Sequence, residues 1–251
     1  MYKKWTNEDY EYLKQNYPYQ DVSLIAKKFQ CSERAVLHQV NNLRIKKHKT
    51  YKINHTFFDT WSSEMAYILG FIITDGCISD NNRLSFGVSI KDKYILDYIS
   101  YKLTENKLVT IHNEIMRNKH HLIARLKFTS KYMANKLKDF YVVPRKTGKE
   151  ILPQCPDEFK GDLLRGIFDG DGCVHISNKT YKYLRVFICS ASQSFLETIK
   201  VNLGMNMGHI NKATNIYRWN INKKDDIIKI RNLMYINKGF CLERKKIKFY
   251  G

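Results

Sequence analysis

The chain has 251 residues, of which 43 are Lys or Arg and 24 are Asp or Glu, and its formal net charge at pH 7 is +19. A hydrophobic content of 43% is that of a folded protein and excludes wholesale disorder. So large a positive charge predicts a polyanionic partner rather than a neutral metabolite. The sequence has neither an apolar run of about 18 residues nor an apolar signal segment. We therefore expect no membrane span and a cytoplasmic location near the nucleoid of a bacterial or phage-infected cell, or else in an organelle.

The first 45 residues form a different kind of segment from the rest. Their periodicity predicts three short helices at 7–16, 21–29 and 32–43, with Ser32 as the N-cap of the third. This pattern resembles the Myb-like or resolvase-like helix-turn-helix group of DNA-binding modules. The resemblance implies that the third helix presents Arg34, His38, Gln39 and Asn42 to a DNA groove. A small helical domain that binds protein is the alternative, and residues 46–61 are interpreted as a basic linker.

The remaining sequence contains an internal repeat. Residues 66–78 and 162–174 share the frame G-x-x-x-x-D-G-C followed by a β-branched residue, and the two frames place Asp75 and Asp171 96 positions apart. The similarity continues downstream in the same order. We therefore predict one duplicated αββαββα segment, with a first repeat at 62–153 and a second repeat at 154–251.

The strands within each repeat are predicted from strict alternation. In residues 83–91 and 121–129, apolar side chains alternate with polar ones, so one face of each sheet is expected to be buried and the other basic and polar. The predicted inward residues are Leu84, Phe86, Val88, Ile90, Leu122, Ala124, Leu126 and Phe128. Amphipathic helices at 91–103 and 191–203 are expected to cover this inner face.

The outward side chains are candidate DNA contacts. Arg suits a guanine edge and Asn an adenine edge, although phosphate contacts are expected at least as often. The candidates in the two repeats are Arg83, Ser85, Lys91, Arg125, Lys127, Arg185, Arg218, Asn220 and Asn222.

Small residues mark one side of the first helix in each repeat. Gly70 with Thr74, and Gly166 with Gly170, are four positions apart and give each helix a flat strip. If the helices pack strip against strip in parallel, their C-terminal ends bring together the two acids of the repeated frame. Two carboxylates at the negative ends of two helix dipoles should repel each other. A divalent cation such as Mg²⁺, with Mn²⁺ or Ca²⁺ as substitutes in binding, resolves the conflict and suits phosphodiester hydrolysis.

The nine-residue motifs at 68–76 and 164–172 make the chain resemble the double-motif, single-chain LAGLIDADG homing endonucleases. The resemblance implies an α+β fold of two pseudo-twofold-related αββαββα repeats, whose antiparallel, saddle-shaped sheets lie in the DNA major groove. It also implies metal binding by Asp75 and Asp171, and stabilisation of the phosphorane-like charge by Lys146 and Lys245. The copies differ elsewhere, since Asp169 in the second motif corresponds to Ile73 in the first.

These observations predict a metal-dependent, site-specific endonuclease that cuts both strands of a long asymmetric DNA target and acts as a monomer in intron homing. Two alternatives stay open. One is an RNA maturase that binds intron RNA, and the other is a catalytically inactive DNA-binding transcription regulator on the same scaffold.

Overall fold

The computed structural model describes residues 3–47, 51–106, 108–116, 118–176, 184–205, 207–236 and 239–250. The chain separates into two compact units, an N-terminal unit of Met1–Lys52 and a C-terminal unit of Ile53–Gly251. Within the described ranges, none of the helices has the length and apolar character that crossing a membrane requires.

Three short helices build the N-terminal unit: α1 (Asn7–Asn16), α2 (Val22–Lys28) and α3 (Glu33–Asn42). The hydroxyl of Ser32 accepts the backbone N–H of Ala35 and so caps α3. Each helix turns an apolar face inward, because its few large apolar residues recur at helical spacing. The core that results consists of Leu13, Tyr17, Ile25, Ala26, Val36 and Val40.

The C-terminal unit contains the two predicted αββαββα repeats. The first repeat comprises α4 (Ser63–Asp75), β1 (Gly76–Ile78), β2 (Arg83–Ser89), α5 (Lys93–Thr104), β3 (Thr110–Met116), β4 (Lys119–Thr129) and α6 (Lys131–Asp139). The second comprises α7 (Lys160–Asp171), β5 (Gly172–Ile176), β6 (Leu184–Ser190), α8 (Gln193–Asn202), β7 (His209–Ala213), β8 (Ile216–Ile221) and α9 (Lys224–Tyr235), followed by α10 (Glu243–Lys246). The predicted α+β architecture is confirmed.

The two sheets have the same topology. Their strand orders are β1-β2-β4-β3 and β5-β6-β8-β7, and every neighbouring pair is antiparallel. Alternation along β2 and β4 places Leu84, Phe86, Ala124, Leu126 and Phe128 in the core, as predicted. Helices α5 and α8 pack on the inner faces through Leu96 and Leu196, which leaves the other face of each sheet open.

Three details of the predicted first sheet are wrong. β2 ends at Ser89, so Ile90, predicted to be an inward strand residue, is half-buried in a 3-10 turn that leads into α5. Lys91 lies exposed in the same turn instead of on a strand face. Leu122, predicted to be inward, is 50% exposed. β2 pairs with β4 only as far as Ile123, so Leu122 lies in the part of β4 that pairs with β3 alone.

The C-terminal unit begins before α4, within the interval assigned to the linker. The backbone N–H of Asn54 donates to the carbonyl oxygen of Leu103 at 2.9 Å, and Phe58 is fully buried. Compact structure therefore begins at Ile53 and not at residue 62. Residues 48–50 of the predicted linker lie outside the described residues.

Helices α4 and α7 make a contact of backbone against backbone. A Cβ atom added to Gly70 would overlap the carbonyl oxygen of Leu163, and one added to Gly166 would overlap that of Tyr67. The absent side chains are what permit this approach, because any Cβ at these points requires the helices to separate.

Gly166→Ala should therefore destabilise the C-terminal unit by about 1–3 kcal/mol or more, because the added methyl group overpacks a contact that cannot yield locally. Urea unfolding followed by circular dichroism measures the loss. Lys131→Ala at the exposed start of α6 is the control and should change stability by less than about 0.5 kcal/mol. Equal stability of the two variants would contradict a close helix contact.

Candidate active site

The two acids of the repeated frame are the last residues of α4 and α7. A Cβ atom placed on Gly170 of α7 would lie 3.3 Å from the Oδ2 atom of Asp75, so this carboxylate adjoins the end of α7. The charge of Asp75 in turn raises the pKa of Asp171. The parallel packing of the two motif helices thus brings one acid from each repeat to the same place.

Both carboxylates are destabilised in their charged form. Burial raises the pKa of Asp75, opposed by the positive charges of Lys245 and Lys146. Burial together with the charge of Asp75 raises the pKa of Asp171 to about 6. The side chain of Asp171 is exposed to solvent on one side, although protein atoms surround most of its carboxylate. The carboxylate is therefore partly desolvated and still accessible from solvent.

The acids fit a hard divalent cation. Their four oxygen atoms are the ligand type that Mg²⁺ prefers, and a nearby positive charge would relieve the cost of ionising both groups. Among the residues that the structure describes, no cluster of three or more His, Cys, Asp or Glu could enclose a metal ion. A cation held by these two acids would therefore need further ligands, such as water, from outside this pair of side chains.

Two buried lysines lie at the same helix ends. The ammonium of Lys146 donates to the carbonyl oxygen of Thr74 at 3.2 Å. Lys245 donates to the carbonyl oxygens of residues 168, 169 and 170 at 2.9, 2.6 and 3.1 Å. Burial lowers the pKa of both side chains. Each lysine thus caps the motif helix of its own repeat, where the helix dipole favours a cation.

Asp169 points away from the two acids and into the interior. Its Oδ2 atom accepts the hydroxyl of Tyr67 at 2.8 Å and the backbone N–H of Leu242 at 2.7 Å. Burial raises its pKa to about 6. Asp169 therefore links the two motif helices to the chain that precedes Lys245, and the residue at the matching position of the first motif is the buried Ile73.

The segment that delivers Lys245 is fixed by residues that the sequence pattern did not single out. Arg165 is buried in α7 and donates to the carbonyl oxygens of Met234 and Phe240 at 2.7 and 3.0 Å, and also to Asp162. The ring of Phe240 stacks on Tyr98 of the first repeat with a centroid separation of 3.9 Å. The signal available in the sequence is an arginine that interrupts the apolar stretch 163–168 of α7.

Arg244 ties the same segment to the first repeat. Its guanidinium donates two hydrogen bonds of 2.6 Å to the carboxylate of Asp92. Arg145 precedes Lys146 in the first repeat as Arg244 precedes Lys245 in the second, and it forms an ion pair with Asp80 at 2.8 Å in which both side chains are exposed. The two Arg-Lys pairs are thus held differently in the fold.

A groove of about 380 Å³ leads from Asp75 along the outer face of the first sheet. Its polar lining comes from β1 to β4. The lining residues include Cys77, Ser85, Gly87, Ser89, Glu114, Met116, Ile123 and Arg125.

The candidate DNA contacts of the first repeat differ in their solvent exposure and in whether the side chain already has a hydrogen-bond partner. Arg125 donates to both carboxylate oxygens of Glu114, at 2.6 and 2.8 Å, so one edge of its guanidinium is already occupied. Glu114 was missed because an acid on a basic face has no sequence signature. Arg83 and Lys127 are exposed on the outer face, whereas Ser85 is half-buried and donates to the carbonyl oxygen of residue 77 at 3.5 Å.

The corresponding side chains of the second repeat lie on or beside the outer face of the second sheet. The guanidinium of Arg218 lies over the ring of Phe187, 5.2 Å from its centroid. Asn220 donates to Asn211 at 2.5 Å, and Arg185 is exposed. The remaining candidate, Asn222, is exposed just beyond the end of β8 and is therefore not part of the strand.

In the N-terminal unit, α3 presents the four side chains that the sequence singles out. Arg34, His38 and Asn42 are exposed and Gln39 is half-buried. The Nδ1 atom of His38 lies 3.4 Å from the amide nitrogen of Asn42, one turn further along the helix. This helix therefore has a continuous polar face.

Comparison with known proteins agrees with this architecture. The family described as a LAGLIDADG-like domain matches residues 158–234, which include α7 and most of α9. No curated protein matches the chain in sequence.

Among solved structures, the homing endonuclease I-WcaI bound to its DNA recognition sequence has a TM-score of 0.56 and 15% identity, with coverage of 77% of this chain and 90% of that chain. The LAGLIDADG meganuclease I-AabMI bound to uncleaved DNA has a TM-score of 0.49 and 16% identity, covering 73% and 87%. The N-terminal LAGLIDADG domain of DUF199/WhiA has a TM-score of 0.46 and 18% identity, covering 74% and 89%.

The repeated topology and the likeness to I-WcaI define the class of fold, which is that of this homing endonuclease. Residues 158–234, within the second repeat, match the LAGLIDADG-like domain.

Arg165→Met should lower the free energy of unfolding by about 3–5 kcal/mol, because it leaves Asp162 charged, buried and without its partner. Arg145→Met is the matched control. It removes the same chemical group from an exposed pair with Asp80 and should cost less than about 1 kcal/mol. Urea denaturation compares the two variants, and similar losses would show that burial of the Arg165 pair has no energetic weight.

Proposed function

We propose that the protein is a site-specific double-strand DNA endonuclease that depends on Mg²⁺. The observation that carries the proposal is the meeting of Asp75 and Asp171, one from each repeat, beside two buried lysines and at the end of a groove along the first sheet. Folding alone gives no reason to place two desolvated carboxylates at two helix C-termini.

The residues of the site have separable tasks in this proposal. The oxygen atoms of Asp75 and Asp171 would hold Mg²⁺, which would supply Lewis-acid polarisation of the scissile phosphate and activation of a water. Lys146 and Lys245 offset the negative charge that two acids and a phosphate bring together. One acid from each repeat then suits one cleavage on each strand.

The open sheet faces are the proposed DNA-binding surface. A net charge of +19 supplies sequence-independent attraction to phosphates, and Arg83, Lys127 and Arg185 extend into solvent on the outer faces. I-WcaI, whose fold this chain shares, was solved on its DNA recognition sequence. Because the two repeats differ in sequence, the target is asymmetric, and because one chain contains both, a monomer suffices.

The N-terminal unit acts, in this proposal, as a helix-turn-helix module that binds DNA. The polar face of α3 would enter a groove beside the main target and lengthen the DNA footprint. The capped helix and its exposed Arg34, His38 and Asn42 support this assignment.

Asp75→Asn and Asp171→Asn should each abolish double-strand cleavage and leave DNA affinity within about threefold, because the amide keeps the shape of the acid but not its charge. The DNA is first selected from a randomised duplex library by binding in Ca²⁺. Cleavage is then followed in Mg²⁺ on plasmids that carry the selected sequence, and affinity by fluorescence anisotropy.

The control variant Asp80→Asn changes an exposed aspartate of the first repeat and should cleave DNA as the wild type does. Full cleavage by either active-site variant would contradict the proposal. A wild-type protein that binds duplex DNA but never cuts it would instead indicate a DNA-binding regulator. Stronger binding to intron RNA than to the selected duplex would indicate a maturase.

Combined Arg34→Ala and His38→Ala should weaken DNA binding about tenfold or more, because each lost groove or phosphate contact is worth about 1 kcal/mol or more. The cleavage rate at saturating DNA should not change. Lys14→Ala in α1 removes one positive charge and should have the smaller effect on affinity. Unchanged affinity in the double variant would point to a protein-binding role for α3.

A further inference from the structure

An arginine occupies the same register position in each of the two sheets. In the first sheet, Arg125 of β4 pairs with Gly87, which is one residue beyond the partner of the first residue of β1. In the second sheet, Arg218 of β8 pairs with Cys189, which is one residue beyond the partner of the first residue of β5. Because β1 and β5 each begin directly after an acid of the repeated frame, the two arginines have equivalent positions relative to the candidate active site.

Arg125 is fixed between two strands. Its Nε and Nη2 atoms donate to the two carboxylate oxygens of Glu114 on β3, at 2.6 and 2.8 Å. On the other side, its Nη1 atom lies beside Gly87 of β2, where an added Cβ atom would approach to 3.2 Å. A glycine inside a strand commonly marks such a close approach. The guanidinium therefore has one fixed orientation on the outer face.

This orientation leaves one edge of the guanidinium available to a ligand. A guanidinium carries five N–H groups, and the carboxylate of Glu114 accepts two of them. Over the ranges that the structure describes, the Nη1 atom of Arg125 meets no hydrogen-bond partner. The Nη1 and Nη2 atoms thus retain a pair of parallel donors, which matches the O6 and N7 acceptors of guanine in the major groove.

The carboxylate makes this position unsuitable for a phosphate. The pair of Arg125 and Glu114 has no net charge, and the hydrogen bonds from Arg125 lower the pKa of Glu114, which therefore stays ionised at neutral pH. A surface that only adheres to phosphates would lose attraction by carrying this acid. Arg125 also lines the groove that contains Asp75, so its ligand lies beside the candidate active site. A fixed donor pair without net charge suits a base better than the DNA backbone.

The second repeat holds its arginine differently. The guanidinium of Arg218 lies over the ring of Phe187, 5.2 Å from the centroid, and a hydrogen bond joins it to the sulfur of Cys189. The strand β7 has 5 residues, whereas β3 has 7, and β7 ends before the position equivalent to Glu114. Arg218 consequently keeps its net charge and is not held by a carboxylate from that strand.

We propose that Arg125 and Arg218 each donate to the O6 and N7 atoms of a guanine, and that Glu114 is the positioning residue of Arg125. The inference rests on the DNA-binding surface of the proposed function and names two bases of its target. Because the arginines are equivalent in the two repeats, the guanines lie on opposite strands, equally far from the centre of the site. An otherwise asymmetric target is therefore symmetric at these two base pairs. The guanine at Arg125 is read more strictly than the one at Arg218.

The test measures DNA affinity, which does not depend on cleavage. Duplexes that bind the wild type in Ca²⁺ are selected from a randomised library and sequenced, and fluorescence anisotropy then compares all four base pairs at each of the two positions. The wild type should prefer guanine by about tenfold or more at the Arg125 position. Arg125→Lys should remove the preference at that position alone, and Arg218→Lys at the other alone, because lysine lacks the planar fork.

Glu114→Gln separates positioning from simple charge. It should reduce the guanine preference at the Arg125 position about threefold or more, because the guanidinium is no longer oriented, and leave the Arg218 position unchanged. Overall affinity should stay equal or rise, since a negative charge leaves the surface. Glu105→Gln, at the exposed end of α5 on the inner side of the sheet, is the matched control and should leave both preferences unchanged. Melting temperatures are measured on the same samples and should stay close to wild type.

Two outcomes would overturn the inference. One is a set of selected sites without guanines at paired positions. The other is a Glu114→Gln variant whose affinity changes equally for all duplexes, which would make the pair an ordinary surface ion pair. In both cases, cleavage of the selected sites by the wild type would leave the proposed nuclease function intact. A protein that prefers both guanines and never cuts DNA would support the inference and refute the nuclease function alone.

Discussion

The close approach of α4 and α7 is the constraint from which the candidate site follows. Gly70 and Gly166 each face a backbone carbonyl of the opposite helix, so neither helix can slide or rotate without a clash. Parallel packing in this fixed register brings both C-termini to one point. The acids that end the helices then face each other, and the carbonyls of both last turns add to the same negative region. The buried ammonium groups of Lys146 and Lys245 lie at this concentration of negative charge and donate to the carbonyl oxygens of the two last turns.

The elements that the sequence predicts correctly are those set by local patterns. Period-two alternation predicts β2 and most of β4. The repeated glycine frame predicts the helix contact, because small residues four positions apart let two helix backbones approach closely. The errors lie where an element stops. Lys91 and Leu122 continue the alternation in sequence, but β2 ends at Ser89, and at Leu122 the strand β4 pairs with β3 alone. Arg165 was missed for a related reason, since its importance depends on which distant carbonyl oxygens fold around it.

Duplication supplies two copies of every part, and the fold does not use the copies alike. Asp169 in the second motif fixes the chain that precedes Lys245, a task that has no equivalent at Ile73 of the first. On the outer sheet face, Arg125 is held by Glu114 through two hydrogen bonds, so its orientation is set before any ligand arrives. A side chain fixed in advance loses little entropy on binding, which favours discrimination between ligands over simple adhesion.

The way residues 239–250 close the fold bears on how the protein can be made. Phe240 and Arg244 attach this stretch to Tyr98 and Asp92 of the first repeat. Until these residues have been synthesised, the carbonyl oxygens in the last turn of α7 lack the ammonium of Lys245 as their hydrogen-bond donor. A chain cut short before Phe240 would lose both the attachment to the first repeat and the cap of α7.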